Sequence, residues 1–172
     1  GIATESLSSY PELVTLPCYQ WQHVLVLPSH HHLAQKTNIS IEDLALEPLI
    51  TYHPSYTGRS RIDQAFASKK LNPRIALEAI DSDVIKTYVK TGLGIGIVAE
   101  MAVQEVFPGG GSEGLTVIPL GHIFGQNVTR IAFKRGAYLP NFVYKFAELI
   151  SPRLSKELIT LAMHGDKDEF EL

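Results

Sequence analysis

Short apolar runs alternate with amphipathic stretches along most of the chain. Runs rich in β-branched residues predict strands, and apolar positions spaced three and four apart predict helices. The predicted strands lie at 1–4, 13–18, 23–27, 49–52, 74–80, 96–99, 115–119 and 128–133. The predicted helices lie at 40–46, 58–70, 81–92, 101–106, 141–150 and 154–163. Strands that alternate with helices indicate an α/β protein with mainly parallel sheets.

Polar residues and glycines mark the ends of several predicted helices. Ser40 followed by Asp43 is typical of a capping box, and Asp81 is better explained as a helix cap than as half of an acid/base pair. Glycines at 92, 94 and 96 follow a predicted helix and precede a strand. A dinucleotide-binding loop needs the reverse order, so we predict a helix end and a tight turn here rather than a nucleotide site.

The segment Thr57-Gly58-Arg59-Ser60 stands where a predicted strand and its loop lead into a helix. Two hydroxyls and a glycine at a helix start leave N–H groups that suit a carboxylate, sulfate or similar anion. The simpler alternative is that Thr57 only caps the helix, and the residues alone leave both interpretations open. Thr4, at the end of the first predicted strand, is likewise either a ligand contact or a turn residue.

Composition and charge exclude several classes of protein. Apolar residues make up 45% and charged residues 19%, which excludes a disordered chain. The net charge of −3 offers no basic surface for nucleic acid, so any DNA-binding part must lie outside these residues. We see no apolar run long enough to span a bilayer and no signal peptide, and the single cysteine fits a reducing, cytoplasmic location. The strand-like start also suggests that the chain begins inside a fold.

Two groups of reactive side chains have simple explanations. Three consecutive histidines, His30, His31 and His32, do not easily converge on one ion, and no acidic or thiol cluster accompanies them in the sequence. We therefore expect no metal site. Cys18 has no suitably placed base, and a buried cysteine is commonly an apolar filler.

Several segments together resemble the effector-binding region of LysR-type transcriptional regulators. The resemblance runs from about residue 1 to about residue 154. Two segments are typical of the cysteine-regulon branch of that family, and the glycine turn and the Leu-Pro-x-x-His loop occur more widely. The segments are Ile2-Ala-Thr-Glu5, Leu16-Pro-Cys-Tyr-Gln-Trp21, Leu27-Pro-Ser-His-His-His-Leu-Ala34, Tyr56-Thr-Gly-Arg-Ser60, Asp83-Val-Ile-Lys-Thr-Tyr-Val89 and Gly92-Leu-Gly-Ile-Gly96.

The resemblance implies a periplasmic-binding-protein-like fold, in which two α/β lobes are joined by crossover strands and an effector binds in the cleft between them. Residues 1–21 would be the end of lobe I and the first crossover, and residues 22–120 would be lobe II. Residues 121–172 would return into lobe I and end in a tail. The N-terminal part of lobe I and the family's winged helix–turn–helix would be absent from this chain.

The resemblance also implies a ligand and a set of contacts. Regulators of this branch respond to N-acetylserine or O-acetylserine, with sulfide or thiosulfate opposing, and sulfate-like anions occupy the same site. Thr4 and Thr57 match threonines that line this site, and the neighbouring aromatic and helix-start residues are further candidates. The full set of predicted effector residues is Thr57, Thr4, Gly58, Arg59, Ser60, Trp21, Tyr19 and Tyr56.

Three classes of function are compatible with these observations. The first is an allosteric sensor in a regulator of sulfur assimilation and cysteine biosynthesis, tetrameric in its full-length form, that reaches promoter DNA through an absent N-terminal domain. The second is a small-molecule solute-binding module without a DNA-binding partner, and the sequence upstream of Gly1 would separate it from the first. An enzyme is the third, and we expect none, because no nucleophile, base or metal set is visible and no cofactor or membrane partner is implied.

Overall fold

The computed structural model describes residues 1–4, 10–56, 58–104 and 114–165. Its strands are β1 (Ile2–Thr4), β2 (Leu13–Pro28), β3 (Leu49–Tyr52), β4 (Ile75–Ala79), β5 (Ile95–Ala99), β6 (Leu115–Pro119) and β7 (Gln126–Lys134). Its helices are α1 (Ile41–Ala45), α2 (Arg59–Ser68), α3 (Ser82–Lys90), α4 (Met101–Gln104), α5 (Gly121–Phe124), α6 (Asn141–Ile150) and α7 (Lys156–His164), with a 3₁₀ helix at His32–Gln35. Among the described residues, none of these helices has the length and apolarity to cross a membrane.

The chain divides into two compact units. Unit 1 consists of Gly1–Gln20 and Asn127–Leu172, and unit 2 consists of Trp21–Gln126. The predicted boundaries lie after residues 21 and 120. The second observed boundary comes later because Leu120 and Phe124 pack into the core of unit 2 and keep α5 with it.

The α/β class is confirmed, but the prediction of mainly parallel sheets is wrong, because the pairing is mixed. β3 pairs in parallel with β4 and with β5, and helices α2 and α3 provide the crossovers that parallel neighbours need. β2 instead runs antiparallel to β5 and β6, and β1 runs antiparallel to β7. The two separately predicted strands at 13–18 and 23–27 are parts of one strand of 16 residues.

Unit 2 packs helices on both faces of its sheet. Side chains of a strand alternate between faces, and β2 shows this directly. Leu25 and Leu27 belong to one apolar cluster, which includes Ile62 and Phe66 of α2. Val24 and Val26 belong to a second cluster, with Ile85 and Val89 of α3. The sheet of unit 2, with the strand order β6–β2–β5–β3–β4, therefore lies between α2 and α3. This arrangement positions the start of α2 next to the end of β3.

Unit 1 has its own apolar core, built from β2, β7, α6 and α7. Cys18 lies in this core, where it is 5% exposed, and burial raises the pKa of its thiol. The prediction that Cys18 is an apolar filler is thus confirmed. Helix α6 contributes only one fully buried side chain, Ala147, and leaves Phe142 and Phe146 exposed.

The predicted helix ends are confirmed at three positions. The Ser40 hydroxyl accepts a hydrogen bond from the Asp43 N–H, and the Asp43 carboxylate accepts one from the Ser40 N–H, which completes a capping box. Asp81 caps α3 by accepting from the Asp83 N–H at 2.6 Å. After α3, Gly92 adopts a positive φ of 79°, a conformation that glycine reaches without strain.

Candidate functional site

The candidate site is built around the N-terminus of α2. Gly58 occupies the N-cap position with a φ of 91°, in the left-handed region. Among the described residues, no side chain caps this end, and no acidic residue stands in the first turn. The first N–H groups of a helix have no acceptors within the helix and carry the positive end of its dipole. This end of α2 is consequently suited to an anion. Thr57, the predicted cap or ligand contact, lies outside the described residues.

Two aromatic side chains from β2 lie against this helix start. A Cβ atom added to Gly58 would stand 3.0 Å from Cη2 of Trp21 and 3.1 Å from Nε2 of His23. The two rings meet edge to face with centroids 5.1 Å apart, and His23 meets Phe124 in the same way at 5.8 Å. Glycine at position 58 is therefore required by close approach as well as by its φ. The result is an aromatic wall directly beside the uncapped helix end.

The electrostatics of the site keep the buried imidazole of His23 neutral. Burial, reinforced by the nearby positive charge of Arg61, lowers the pKa of His23 to about 4. The side chain is fully buried and stays uncharged at neutral pH. Arg61 lies on the first turn of α2, close enough to His23 for its charge to act on the imidazole. An anion bound at the start of α2 would meet the positive end of the helix dipole.

Arg59 has a different environment from Arg61. Its side chain is 6% exposed and its guanidinium donates to the Tyr52 carbonyl, to Oε1 of Glu78 at 2.8 Å and to Oδ1 of Asp63 at 2.8 Å. Its backbone N–H donates to the Tyr56 carbonyl at 3.3 Å. The side chain thus ties α2 to β3 and β4 and carries a charge that two carboxylates already balance.

A family model described as the LysR substrate binding domain matches residues 1–155. The chain belongs to this family. The chain is 51% identical, over 172 residues, to the HTH-type transcriptional regulator CysB of Burkholderia cenocepacia, covering 100% of this chain and 54% of that protein. It is 46% identical to the regulator Cbl of Escherichia coli, covering 98% of this chain and 52% of that protein. The chain spans about half the length of these relatives.

The solved cofactor-binding domain of the Cbl transcriptional regulator superposes with a TM-score of 0.84 at 44% identity, covering 96% of this chain and 71% of that chain. The LysR domain therefore has the two-lobe, periplasmic-binding-protein-like fold of these effector-binding domains, as the resemblance implied.

The structure brings some of the predicted site residues of the LysR domain together. Gly58 and Trp21 are in contact, and Ser60 is exposed on the first turn of α2. Tyr56 is 43% exposed in the turn before α2, where its N–H donates to the His53 carbonyl at 3.0 Å.

Thr4 and Tyr19 belong to unit 1. Thr4 is 6% exposed, and its hydroxyl lies 3.5 Å from that of Thr129 on the paired strand β7. Tyr19 is 41% exposed.

Sequence reasoning missed His23 as part of the site. Part of the signal was present, because His23 begins a predicted strand two positions after Trp21, but Trp21 itself lay outside the predicted strands. Only the continuous β2, Leu13–Pro28, shows that the two side chains share a face. The missing information was that α2 would start against that face.

Proposed function

We propose that the chain is the effector-binding domain of a LysR-type regulator of sulfur assimilation and cysteine biosynthesis, and that unit 2 binds an anionic effector at the start of α2. The contact of Trp21 and His23 with Gly58 carries the proposal, because it sets an aromatic wall beside a helix end that no described side chain caps. The identity of about half of all residues to CysB supports the assignment to sulfur genes.

The proposed ligands are N-acetylserine or O-acetylserine, with sulfate or thiosulfate as competing anions. A carboxylate or sulfate would accept hydrogen bonds from N–H groups of the first turn of α2 beyond Arg59, whose own N–H donates to the Tyr56 carbonyl, and from the Ser60 hydroxyl. Trp21 would cover the apolar part of an acetyl group. Thr57 is expected to add a hydroxyl contact, and the contribution of Thr4 and Tyr19 stays a prediction from the resemblance. The Arg59 guanidinium is assigned no direct contact, since Asp63 and Glu78 already balance its charge.

The wider regulator would be a cytoplasmic homotetramer that reaches promoter DNA through a helix–turn–helix domain outside these residues. Effector binding would shift the balance between two arrangements of the assembly and so change DNA affinity. The relatives are named as transcriptional regulators, which supports a role without catalysis. The chain itself, with net charge −3, is expected to show no sequence-specific binding in a gel-shift assay.

Trp21 is the single tryptophan and therefore a built-in reporter for the test. Titration of N-acetylserine, O-acetylserine, sulfate and thiosulfate should change its fluorescence with saturation. Thr57→Ala should weaken binding several-fold, corresponding to a lost hydroxyl contact of about 1 kcal/mol. Thr87→Ala is the matched control, because the exposed Thr87 hydroxyl donates to the Asp83 carbonyl of its own helix, α3. Equal affinities for the two variants and the parent chain would contradict the site.

A further inference from the structure

A second polar cluster lies in unit 2, formed by His31, His32 and Glu47. Nε2 of His32 is 3.1 Å from Oε1 of Glu47, and Nε2 of His31 is 3.5 Å from Oε2. The two imidazole rings stack with centroids 4.4 Å apart and planes inclined by 29°. One nitrogen from each histidine and one oxygen from Glu47 all lie within 4.8 Å of one another. The consecutive histidines thus meet an acidic residue from beyond α1, which the sequence did not reveal.

We propose that His31, His32 and Glu47 bind a divalent transition-metal ion, with zinc as the preferred ion. Zinc bonds to histidine nitrogen and carboxylate oxygen are about 2.0–2.1 Å long, so two ligands of a tetrahedral ion stand about 3.3–3.4 Å apart. The two nitrogen–oxygen separations of 3.1 and 3.5 Å lie on either side of that value. The two separations involve different oxygens of Glu47, so a rotation of its carboxylate and of the largely exposed His32 ring would bring one oxygen and two nitrogens onto one ion.

The type of ligand selects the type of ion. Two imidazoles and one carboxylate suit zinc, nickel or copper, whereas magnesium and calcium prefer oxygen ligands only. Three protein ligands leave the fourth position of a tetrahedral zinc ion open to water or to a small anion.

The backbone holds both halves of the cluster in place. The His31 N–H donates to the Pro28 carbonyl at 2.8 Å, and the turn is anchored by Leu33, which is 3% exposed. On the other side, the Glu47 N–H donates to the Leu44 carbonyl at 3.2 Å, and Leu44 is fully buried. Only about a fifth of each of the His31 and Glu47 side chains is exposed, at 20% and 18%. Two of the three ligands are therefore ordered before any ion arrives.

Metal binding at His31 also requires the ring proton to move from one nitrogen to the other, and this lowers the affinity for the ion. Nδ1 of His31 accepts from the Leu33 N–H at 3.3 Å, so the neutral ring carries its proton on Nε2, which faces Glu47. An ion bound at Nε2 would move that proton to Nδ1 and break this long hydrogen bond. We expect micromolar rather than picomolar affinity as a result.

The proposed metal site is separate from the proposed effector site. Glu47 precedes β3, whereas α2 starts after the end of β3, and β2 enters unit 2 at Trp21 and leaves its sheet at Pro28. The two sites thus lie at opposite ends of the same strands. Variants at one site should leave the other unchanged, so the two proposals can fail independently.

The test uses the tag-free chain and zinc chloride in calorimetric titrations. We expect one zinc per chain, and His32→Ala and Glu47→Gln should each weaken binding by about tenfold or more. His30→Ala is the matched control, because His30 is an exposed histidine of the same loop outside the cluster, and it should change affinity by less than about twofold. Magnesium should not bind, and cobalt should give the absorption spectrum of a tetrahedral site.

Thermal unfolding provides a second readout and a check on folding. At the same zinc concentration, the unfolding midpoint should rise clearly less for Glu47→Gln than for the parent chain and His30→Ala, and the metal-free midpoints should agree. His32 is 68% exposed, so its replacement leaves the fold intact. Absence of zinc binding, an equal loss in His30→Ala, or unchanged affinity in Glu47→Gln would each overturn the proposal.

Discussion

Buried polar side chains in unit 2 are held by specific neighbours, and their charge states follow from those neighbours. His23 is enclosed by Trp21 and Phe124, and both burial and the charge of Arg61 oppose its protonation. Arg59 is buried with its charge retained, because Asp63 and Glu78 accept from its guanidinium. The same unit thus stabilises a neutral base and a balanced cation within a few residues of the start of α2.

The neutral state of His23 makes the stability of the chain depend on pH. Its pKa is about 4 in the folded chain and 6.5 when unfolded, so the unfolded state binds more protons between these values. The free energy of unfolding should therefore fall as the pH drops from 6.5 toward 4, by up to about 3 kcal/mol. Urea unfolding at several pH values between 6.5 and 4 measures this fall in the free energy of unfolding. The His23→Gln variant, which cannot titrate, should lose less stability over the same range, and parallel losses would contradict this account.

The ion pairs of Arg59 should contribute more to the stability of the fold than exposed ion pairs on the surface do. Arg59→Gln leaves the partly buried Tyr52 carbonyl and two carboxylates without their donor, and we expect a loss of about 1–3 kcal/mol in urea unfolding at neutral pH. The control is Lys36→Gln, which removes the exposed Lys36–Asp43 pair and should cost less than about 1 kcal/mol. Similar losses in the two variants would show that Arg59 has no special structural role.

At the scale of elements, the sequence was sufficient to predict helix caps but not which strands pair with each other. Helix caps such as Ser40 and Asp81 depend on residues within three positions, so the sequence was sufficient to place them. The continuity of β2 depends on β5 and β6, which pair with it from far along the chain. The same limit explains the site, since contact between His23 and Gly58, or between His31 and Glu47, requires the assembled sheet.

The turn from α3 into β5 offers a test of close packing between elements. A Cβ at Gly94 would collide with the Pro48 carbonyl, which accepts from the Ile95 N–H at 2.9 Å and so aligns β5 with β3. Gly94→Ala should therefore cost well over about 2 kcal/mol of stability. Gly92→Ala meets nothing within 4 Å but keeps a positive φ, and should cost about 1–2 kcal/mol. Unfolding in urea should rank the two variants in this order, and the reverse order would contradict the packing argument.

At the scale of the whole molecule, the two units differ in how their elements are buried. All side chains of β5 from Ile95 to Val98 are buried, whereas α6 buries only Ala147 fully. Amides of β3 and β5 should therefore exchange with deuterium much more slowly than those of α6, because local opening of α6 exposes little additional apolar surface. Mass-spectrometric hydrogen exchange on peptides 49–52, 95–99 and 141–150 measures the difference. Equal protection of these segments would show that α6 is held as firmly as the sheet of unit 2.

The exposed apolar face of unit 1 should drive association of the chain. Phe142, Phe146 and Leu149 are 70%, 52% and 85% exposed on α6. Apolar patches larger than a few hundred Å² favour association, so the sedimentation coefficient of the chain should rise with concentration. Replacing Phe142 and Phe146 together by glutamate should remove that dependence, because each charge would have to be buried in the contact. Leu46→Glu is the matched control, since Leu46 is 85% exposed on unit 2 and should leave association unchanged. If the control variant dissociates instead, the contact belongs to unit 2 and α6 is only a solvated helix.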